Sequence, residues 1–577
     1  MKLLFGIAAL AALANAHPHD DDGPTPNRPK TKDSKIAVVG GGIGGIYTAY
    51  KLSKLGYKNI DVFEKSDRLG GKSQTLRMSG HHLDLGTYHW TSASYDWIYA
   101  TAEELNLPLY NYVLEPSFFS IYEAEIPLPP SAHAAFGTSM NLLKLLEHPI
   151  LQGEAQMLAK LEQYKVALKS MFTYSNDQYI WPDMTTDAQM AHLGNLTYDQ
   201  WLIDNDLYEL FPFAEYINTN FLYGRTVSVN AFHGLVWTHP GMIEMLITRN
   251  YGTYVPYTGF QGFVETMALD QKLHVIYNAQ INRIIRKNGN SGRCQDDDCV
   301  VITYKTKAMK NEVTKKYDFL VNAIHPVYYN KRAFKMTKQE ADMFDLSRWE
   351  SNRLQLSVSM PNAQNLATYE SFDKNFYFRD QLAEFNGKYD VVLCLNRKIV
   401  IPQGQLVRAD TGSGEDCATA TAWNYDKRMP EFLTCYTEKF QVPIWEEGRS
   451  DGVADGEVFN PEVSAEMESL TAGSLDMKAE DIRYQHQREY FNRYTFENIA
   501  AGYPIKLFNY NLENNRNTWF VGSYVSHEST SRITDQIELL LERSGVKERV
   551  EERPNFKDKM FVGKVYNIAP GHDGNHF

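Results

Sequence analysis

Cysteine is scarce in this chain, five residues in 577, so disulfides cannot stand in for a packed core as they do in small secreted scaffolds. Positive charge is in deficit: 58 Lys+Arg against 71 Asp+Glu leave a formal net charge of −13. Lys and Arg neutralise phosphates in non-specific nucleic-acid binding, so no nucleic-acid partner is expected. Beyond the first residues there is no run of about 18 uninterrupted apolar residues, so no membrane span is expected either. The motifs H-E-x-x-H and G-x-S-x-G are missing, which argues against zincin proteases and α/β-hydrolases. There is no internal repeat and no low-complexity segment. Aromatic side chains are abundant: 36 Tyr, 29 Phe and 9 Trp within a 43% hydrophobic composition. That composition, at this length, allows several domains with real cores.

The N-terminus reads as an address. Lys2 supplies a positive charge, Leu3 to Leu13 an apolar run, and Ala14-Asn15-Ala16 a small-x-small cleavage site, the pattern of a secretory signal peptide. Cleavage after Ala16 leaves a chain beginning at His17, followed by an acidic, Pro-rich linker, and the protein is expected to be secreted. His17-Pro18-His19 reads as solvated tail, and no metal site is expected. An oxidising compartment permits disulfides. Cys294 and Cys299 flank a polar loop between two strand-like runs, which makes a local bridge a candidate, while Cys394, Cys417 and Cys435 leave an odd count. Asn195-Leu196-Thr197 is a glycosylation sequon.

The apolar run Ile36-Ala37-Val38-Val39 ends directly in Gly40-Gly41-Gly42-Ile43-Gly44-Gly45, and a helical pattern follows with Ile46, Ala49, Leu52 and Leu55 on one face. A second strand, Ile60 to Phe63, delivers Glu64, nineteen residues beyond Gly45. Gly40, Gly42 and Gly45 fit G-x-G-x-x-G. The first glycine makes the turn, the second admits a pyrophosphate, and the third lets helix pack on strand. The helix N-terminus favours an anion and the acid accepts from ribose hydroxyls.

The run Glu64-Lys65-Ser66-Asp67-Arg68-Leu69-Gly70-Gly71-Lys72, continuing as His82-Leu83-Asp84-Leu85-Gly86, resembles the FAD-dependent amine oxidase and phytoene desaturase superfamily. Its signature is ExxxRxGGR followed by an hDxG segment, and Lys72 stands where arginine is usual. The resemblance implies FAD as cofactor, with Gly40, Gly42, Ile43, Gly44, Gly45, Glu64, Lys65, Arg68, Gly70, Gly71 and Lys72 as cofactor residues. His274 to Ala323 is similar to the superfamily's middle block, in which backbone near Ile281 meets adenine. Thr518-Trp519-Phe520-Val521-Gly522-Ser523, then a helical stretch from Ser529 to Leu541, resembles its last FAD segment. Gly522, Ser523, Ser529 and Thr530 are the implied contacts there, with Ser523 standing where an acid is usual. A closer likeness is to the secreted subgroup around β-cyclopiazonate dehydrogenase and polyenoic fatty acid isomerase.

The implied fold is α/β: a Rossmann-like FAD-binding domain with an inserted helical plus β-sheet substrate domain. Residues 1–16 are assigned to the signal peptide and 17–34 to a linker. The FAD domain is expected in three parts (35–115, 258–330 and 505–545), separated by a helical insertion (116–257) and a substrate-binding sheet (331–504). The tail is 546–577.

Met157, Leu161, Tyr164, Leu168 and Met171 share one helix face and read as core. Thirteen aromatics fall in the 60 residues from Trp201 to Phe260, where an apolar cavity is expected over the flavin. The expected activity is hydride transfer from a small, apolar organic substrate to flavin N5, with molecular oxygen as a candidate acceptor. Rival readings are a double-bond isomerase of unsaturated fatty acids, an L-amino-acid or amine oxidase, and a non-catalytic secreted flavin-binding protein. Tyr88 and His89, just after the hDxG segment, are catalytic candidates, as is Tyr503, which resembles an aromatic that amine oxidases place beside the flavin. His527 and Glu528 follow Gly522 closely and are weaker candidates.

Overall fold

A computed structural model describes most of residues 27–359 and 482–548, interrupted chiefly at 112–124, 128–132, 142–147, 182–185 and 289–297. It also describes strands at 376–379, 391–396 and 433–443. Its centre is a five-stranded parallel sheet. Strand β1 (Lys35–Val39) runs into helix α1 (Ile43–Lys54) and returns as β2 (Asn59–Phe63). Helix α2 (Gly259–Asp270) leads into β3 (His274–Ile276), and β4 (Phe319–Asn322) and β5 (Thr518–Phe520) complete the sheet before helix α3 (Thr530–Arg543).

The strand order is β3-β2-β1-β4-β5. Val38 pairs with Val62 on one side and Val321 on the other, and Val321 in turn with Trp519. Ile36 to Val39 and Phe319 to Val321 are completely buried, because a parallel sheet covered on both faces needs unbroken apolar strands rather than alternation. Three stretches of chain, far apart in sequence, therefore build one sheet. The order reverses between β1 and β4, and in open α/β sheets the crevice at the carboxyl ends of such a strand pair is where ligands bind.

Helix α1 buries Ile46, Ala49 and Leu52 as their spacing requires, and ends beyond Leu55 at Gly56, whose φ of +93° suits a glycine after a helix. Helix α3 starts one residue after Ser529 and buries Ile533, Ile537, Leu540 and Leu541. The block from His274 to Ala323 contributes strands to two sheets. Its ends, β3 and β4, join the parallel sheet. The antiparallel meander is Gln280–Asn288, Asp298–Lys305 and Val313–Tyr317. Arg286 on the first meander strand makes a fully buried ion pair with Glu340 at 2.6 Å and ties the meander to the helix Lys338–Met343. Cys299 is disulfide-bonded, and Cys294 lies outside the described residues.

The helix Glu154–Lys169 buries Met157, Leu161, Tyr164 and Leu168, and Met171 beyond it is also buried, so this face is core. A second, antiparallel sheet holds the long strands Trp349–Ser359 and Ile482–Tyr494, paired from Trp349↔Tyr494 to Ser359↔Ile482. Its strand Val391–Asn396 sets Cys394 opposite Cys435. Among the described residues no helix is long and apolar enough to cross a membrane.

Candidate cofactor and active site

The glycine turn is shaped by close backbone approach. Gly40 has φ +105°, and its N–H donates to the Phe63 carbonyl at 2.9 Å. A Cβ on Gly45 would stand 1.9 Å from the Gly40 carbonyl oxygen, so helix and turn can only meet at a glycine. Gly42, the residue capping α1, is different: the nearest atom to its would-be Cβ is 3.8 Å away. It supplies no side-chain cap, and the first-turn N–H groups of Ile43, Gly44 and Gly45 have no intrahelical acceptors. A second glycine run lies against this one. Gly70 bridges to Gly42, its N–H donates to the Gly41 carbonyl at 2.9 Å, and a Cβ on Gly71 would sit 3.1 Å from the Gly42 Cα.

The Glu64 carboxylate closes this cradle, accepting from Gly41 N–H at 2.6 Å and from Ser66 N–H and Oγ at 2.8 Å each. Arg68 folds back to donate to the Gly71 carbonyl at 3.1 Å, whereas Lys65 is exposed. Asn278 donates to the Ser66 carbonyl and Ala279 to that of Glu64, so the strand carrying half-buried Ile281 starts beside the acid.

The last segment arrives from the other side of β1. Gly522, with φ +119°, puts its Cα 3.2 Å from where a Gly44 Cβ would be. Ser523 is half-buried. Ser529 bonds Ser531 Oγ at 2.8 Å instead of capping α3, and the buried Thr530 Oγ1 has no partner. Two open helix N-termini, α1 and α3, thus converge beside glycines. Those donors, the close backbone approach and the acid at the first turn suit the two phosphates and the ribose of FAD. Lys72, at the end of the first block, donates to Glu528 at 2.6 Å, and the same carboxylate oxygen accepts from Phe491 N–H at 3.1 Å. Asp84 of the hDxG segment is buried and holds Thr75 Oγ1 at 2.6 Å and Phe260 N–H at 3.0 Å. It thereby anchors the start of α2.

A cavity adjoins Ser523 and is lined mainly by apolar groups, among them Phe172, Phe232, Trp349, Phe491 and Tyr524. Two histidines face it, His233 and His527. Both are over nine-tenths buried, and none of their four ring nitrogens has a hydrogen-bond partner. Trp237 stacks on His527 at 5.5 Å and 7°, while Tyr223 and Phe491 meet its edge and face at 4.6 and 4.7 Å. Burial, and secondarily the Arg493 guanidinium, push the His233 imidazole down to about 3. Burial also holds His527 well below its usual value, with His233, Arg532 and Arg493 adding to the effect. Both rings are therefore uncharged at neutral pH. The two arginines at the cavity carry their own counter-charges, Arg493 on Glu350 at 3.0 Å and Arg532 on Asp535 at 2.9 Å.

The sequence-level candidates divide in three. Of the candidate FAD residues, the glycines of the first and last blocks and Glu64 come together around the N-terminus of α1, and Ser523 and His527 reach the cavity. Tyr88 and His89 lie outside the described residues. Tyr503 does not line the cavity itself, though its neighbour Pro504 does: its hydroxyl lies 3.4 Å from the Asp342 carboxylate, and the Arg348 guanidinium sits 4.2 Å over its ring. His233 and Arg493 were not foreseen. The aromatic-rich stretch was a partial signal for the first. Trp201, Phe211 and Phe213 from it are plain core, whereas Tyr223, Phe232 and Trp237 enclose the histidines.

A dinucleotide-binding α/β unit with a second sheet beside it defines the class: a Rossmann-type flavoprotein fold. A family model described as an NAD(P)-binding Rossmann-like domain matches residues 38–105. The chain is 48% identical to 4,4'-diapolycopen-4-al dehydrogenase of Metabacillus indicus over 52 residues, 9% of this chain and 10% of that protein. It is 34% identical to polyenoic fatty acid isomerase of Ptilota filicina over 90 residues, 16% of this chain and 15% of that one. These matches span a small part of either relative. The solved structure of a CLA-producing fatty acid isomerase from P. acnes aligns with a TM-score of 0.58 at 15% identity, over 89% of this chain and 99% of the other, which is a likeness of fold. These likenesses, centred on the nucleotide-binding segment, support the FAD-dependent amine oxidase and phytoene desaturase superfamily, with FAD as the cofactor.

Proposed function

We propose that this protein is a secreted FAD-dependent oxidoreductase that takes hydride from a small, apolar organic substrate, with molecular oxygen as a candidate final acceptor. The observation that carries this reading is the aromatic-walled cavity that opens beside Ser523, in the last cofactor segment. The flavin, once bound, supplies the two-electron acceptor. The chain's own groups do the rest. The Gly40–Gly45 and Gly70–Gly71 runs would hold the phosphates and Glu64 the ribose, while Lys72 with Glu528 fixes the first block against the last. Phe172, Phe232, Phe491 and Tyr524 keep water from the substrate's reacting carbon.

A second reading, isomerisation of a double bond in an unsaturated fatty acid with no net oxidation, is favoured by the likeness to two fatty acid isomerases. An L-amino-acid oxidase would need a cation for a carboxylate, and Arg493 and Arg532 each already have an acidic partner, Arg532 through Nη1 only.

The test is to purify the protein, record its visible spectrum, and screen polyunsaturated lipids, terpenoids, amines and amino acids. Bleaching of the flavin without air by an apolar substrate, with peroxide formed in air, is the expected result. Conjugated-diene absorbance without peroxide would select the isomerase. Flavin that no substrate bleaches would mark a binding protein, and a colourless protein that refuses added FAD would overturn the reading.

A further inference from the structure

His233 and His527 reach the cavity from different elements, one on the helix Ala231–Trp237 and one from the loop between β5 and α3. Their ring centroids are 6.3 Å apart. Four buried ring nitrogens without partners are costly, since each forgoes a hydrogen bond that water would give it. The surrounding walls offer no relief: Trp237, Tyr223 and Phe491 present ring faces and edges to the imidazoles. Each neutral imidazole carries one donor and one acceptor nitrogen. A single oxygen making two hydrogen bonds of about 2.8 Å can bridge rings at this separation. A hydroxyl can donate to one ring and accept from the other, and a carbonyl oxygen can accept from both.

Charged heads are disfavoured on the same grounds. A carboxylate would add negative charge to a site whose two guanidiniums already have counter-charges in Glu350 and Asp535, although Arg532 meets Asp535 through Nη1 only, and an ammonium would meet those guanidiniums directly. We propose that His233 and His527 together form the polar recognition point of the cavity, and that the substrate is an apolar molecule bearing one uncharged oxygen, a hydroxyl or carbonyl. This rests on the cavity being the substrate site.

The FAD-loaded protein is titrated by calorimetry with 1-octanol, n-octane, octanoate and octylammonium, four probes with one chain length and different heads. Octanol should bind about tenfold more tightly than the other three, the worth of one or two buried hydrogen bonds. In the double variant His233→Phe/His527→Phe that preference should shrink to within about threefold of octane, while the visible spectrum and FAD content stay unchanged. His527→Asn, which keeps a hydrogen-bonding head, should retain part of it. The wild-type ranking is decisive without any variant: tighter binding of octanoate or octylammonium, or octanol no better than octane, overturns the proposal. So does an octanol preference that survives the double variant, because a trapped water or another group would then be the partner. Failure to load FAD overturns the functional reading instead, and the spectrum distinguishes the two failures.

Discussion

Gly44 and Gly522 meet face to face: the position of a Gly44 Cβ lies 3.2 Å from the Gly522 Cα and 3.4 Å from its nitrogen. One belongs to the first cofactor segment and the other to the last, so the two helix N-termini that frame the cradle converge glycine to glycine, with the Ile533 Cγ2 next at 3.5 Å. Gly44→Ala should push them apart by a few tenths of an ångström. The expected result is soluble, folded protein with a reduced flavin-to-protein absorbance ratio. Gly45→Ala is a different case. Its methyl would stand 1.9 Å from the Gly40 carbonyl, which cannot yield while β1 stays paired, so soluble yield itself should collapse. Equal flavin content in Gly44→Ala and wild type would remove this contact from the account of cofactor binding.

Glu528 holds two partners with one oxygen, the Lys72 ammonium and the Phe491 N–H. Lys72 is 38% exposed and can turn to water, so losing the ion pair alone costs little. The Phe491 N–H, on a residue with φ +53°, has a harder replacement to find. Glu528→Gln keeps an acceptor and should be near neutral, whereas Glu528→Ala should cost about 1–3 kcal/mol. Chemical denaturation of the FAD-free proteins measures both. Equal losses in the two variants would show that charge, not the backbone bond, is what the position needs.

The parts of the site that were legible in sequence are those whose chemistry is local. A strand, a glycine turn and a helix are contiguous, and the spacing from Gly45 to Glu64 is set by one helix and one return strand. Asp84 was legible as part of a motif, but its job was not, since Thr75 and Phe260 reach it only after α2 folds back. His233 and Arg493 could not be found this way. They are 260 positions apart, on a helix and on a strand of a different sheet, and nothing near either one in sequence marks it as facing the other. Tyr503 is a different case. Its Gly-Tyr-Pro setting resembles a flavin-side aromatic, yet the ring is held between Arg348 and Lys506.

Secretion has two independent readouts. N-terminal sequencing of protein recovered from the medium should begin at His17. Asn195 is exposed at the end of the helix Asp187–Gly194, with its amide donating to the Ala191 carbonyl at 2.7 Å, and a glycan there would meet no core. Glycosidase treatment should lower the apparent mass, and Asn195→Gln should abolish that shift. Protein that keeps Met1 and shows no mass shift would place it in another compartment.

Three buried histidines set the acid side of the stability profile. Burial lowers His233, His325 and His527, with Arg493 adding to the first, Lys72 to the second, and His233, Arg532 and Arg493 to the third. Each folded-state value lies below the unfolded value near 6.5, so the unfolded chain takes up protons first as pH falls. The stability from burying neutral rings is complete above about pH 6.5 and drains as pH drops, down to about 3 for His233. Each ring contributes a slope approaching ~1.4 kcal/mol per pH unit inside that window. Asp61 and Glu538, both held below their usual values despite burial, lose their stabilisation only near and below pH 4.5, so they do not confuse the upper part of the window. Melting temperature should therefore be level from pH 8 to about 7 and fall steadily from about 6.5 to 5. His233→Phe/His527→Phe should flatten most of that fall and leave the part due to His325, which the burial-raised Asp199 and Glu350 carboxyls oppose. A melting temperature independent of pH across that range would mean the rings are protonated and partnered in the folded protein, and would contradict their neutrality.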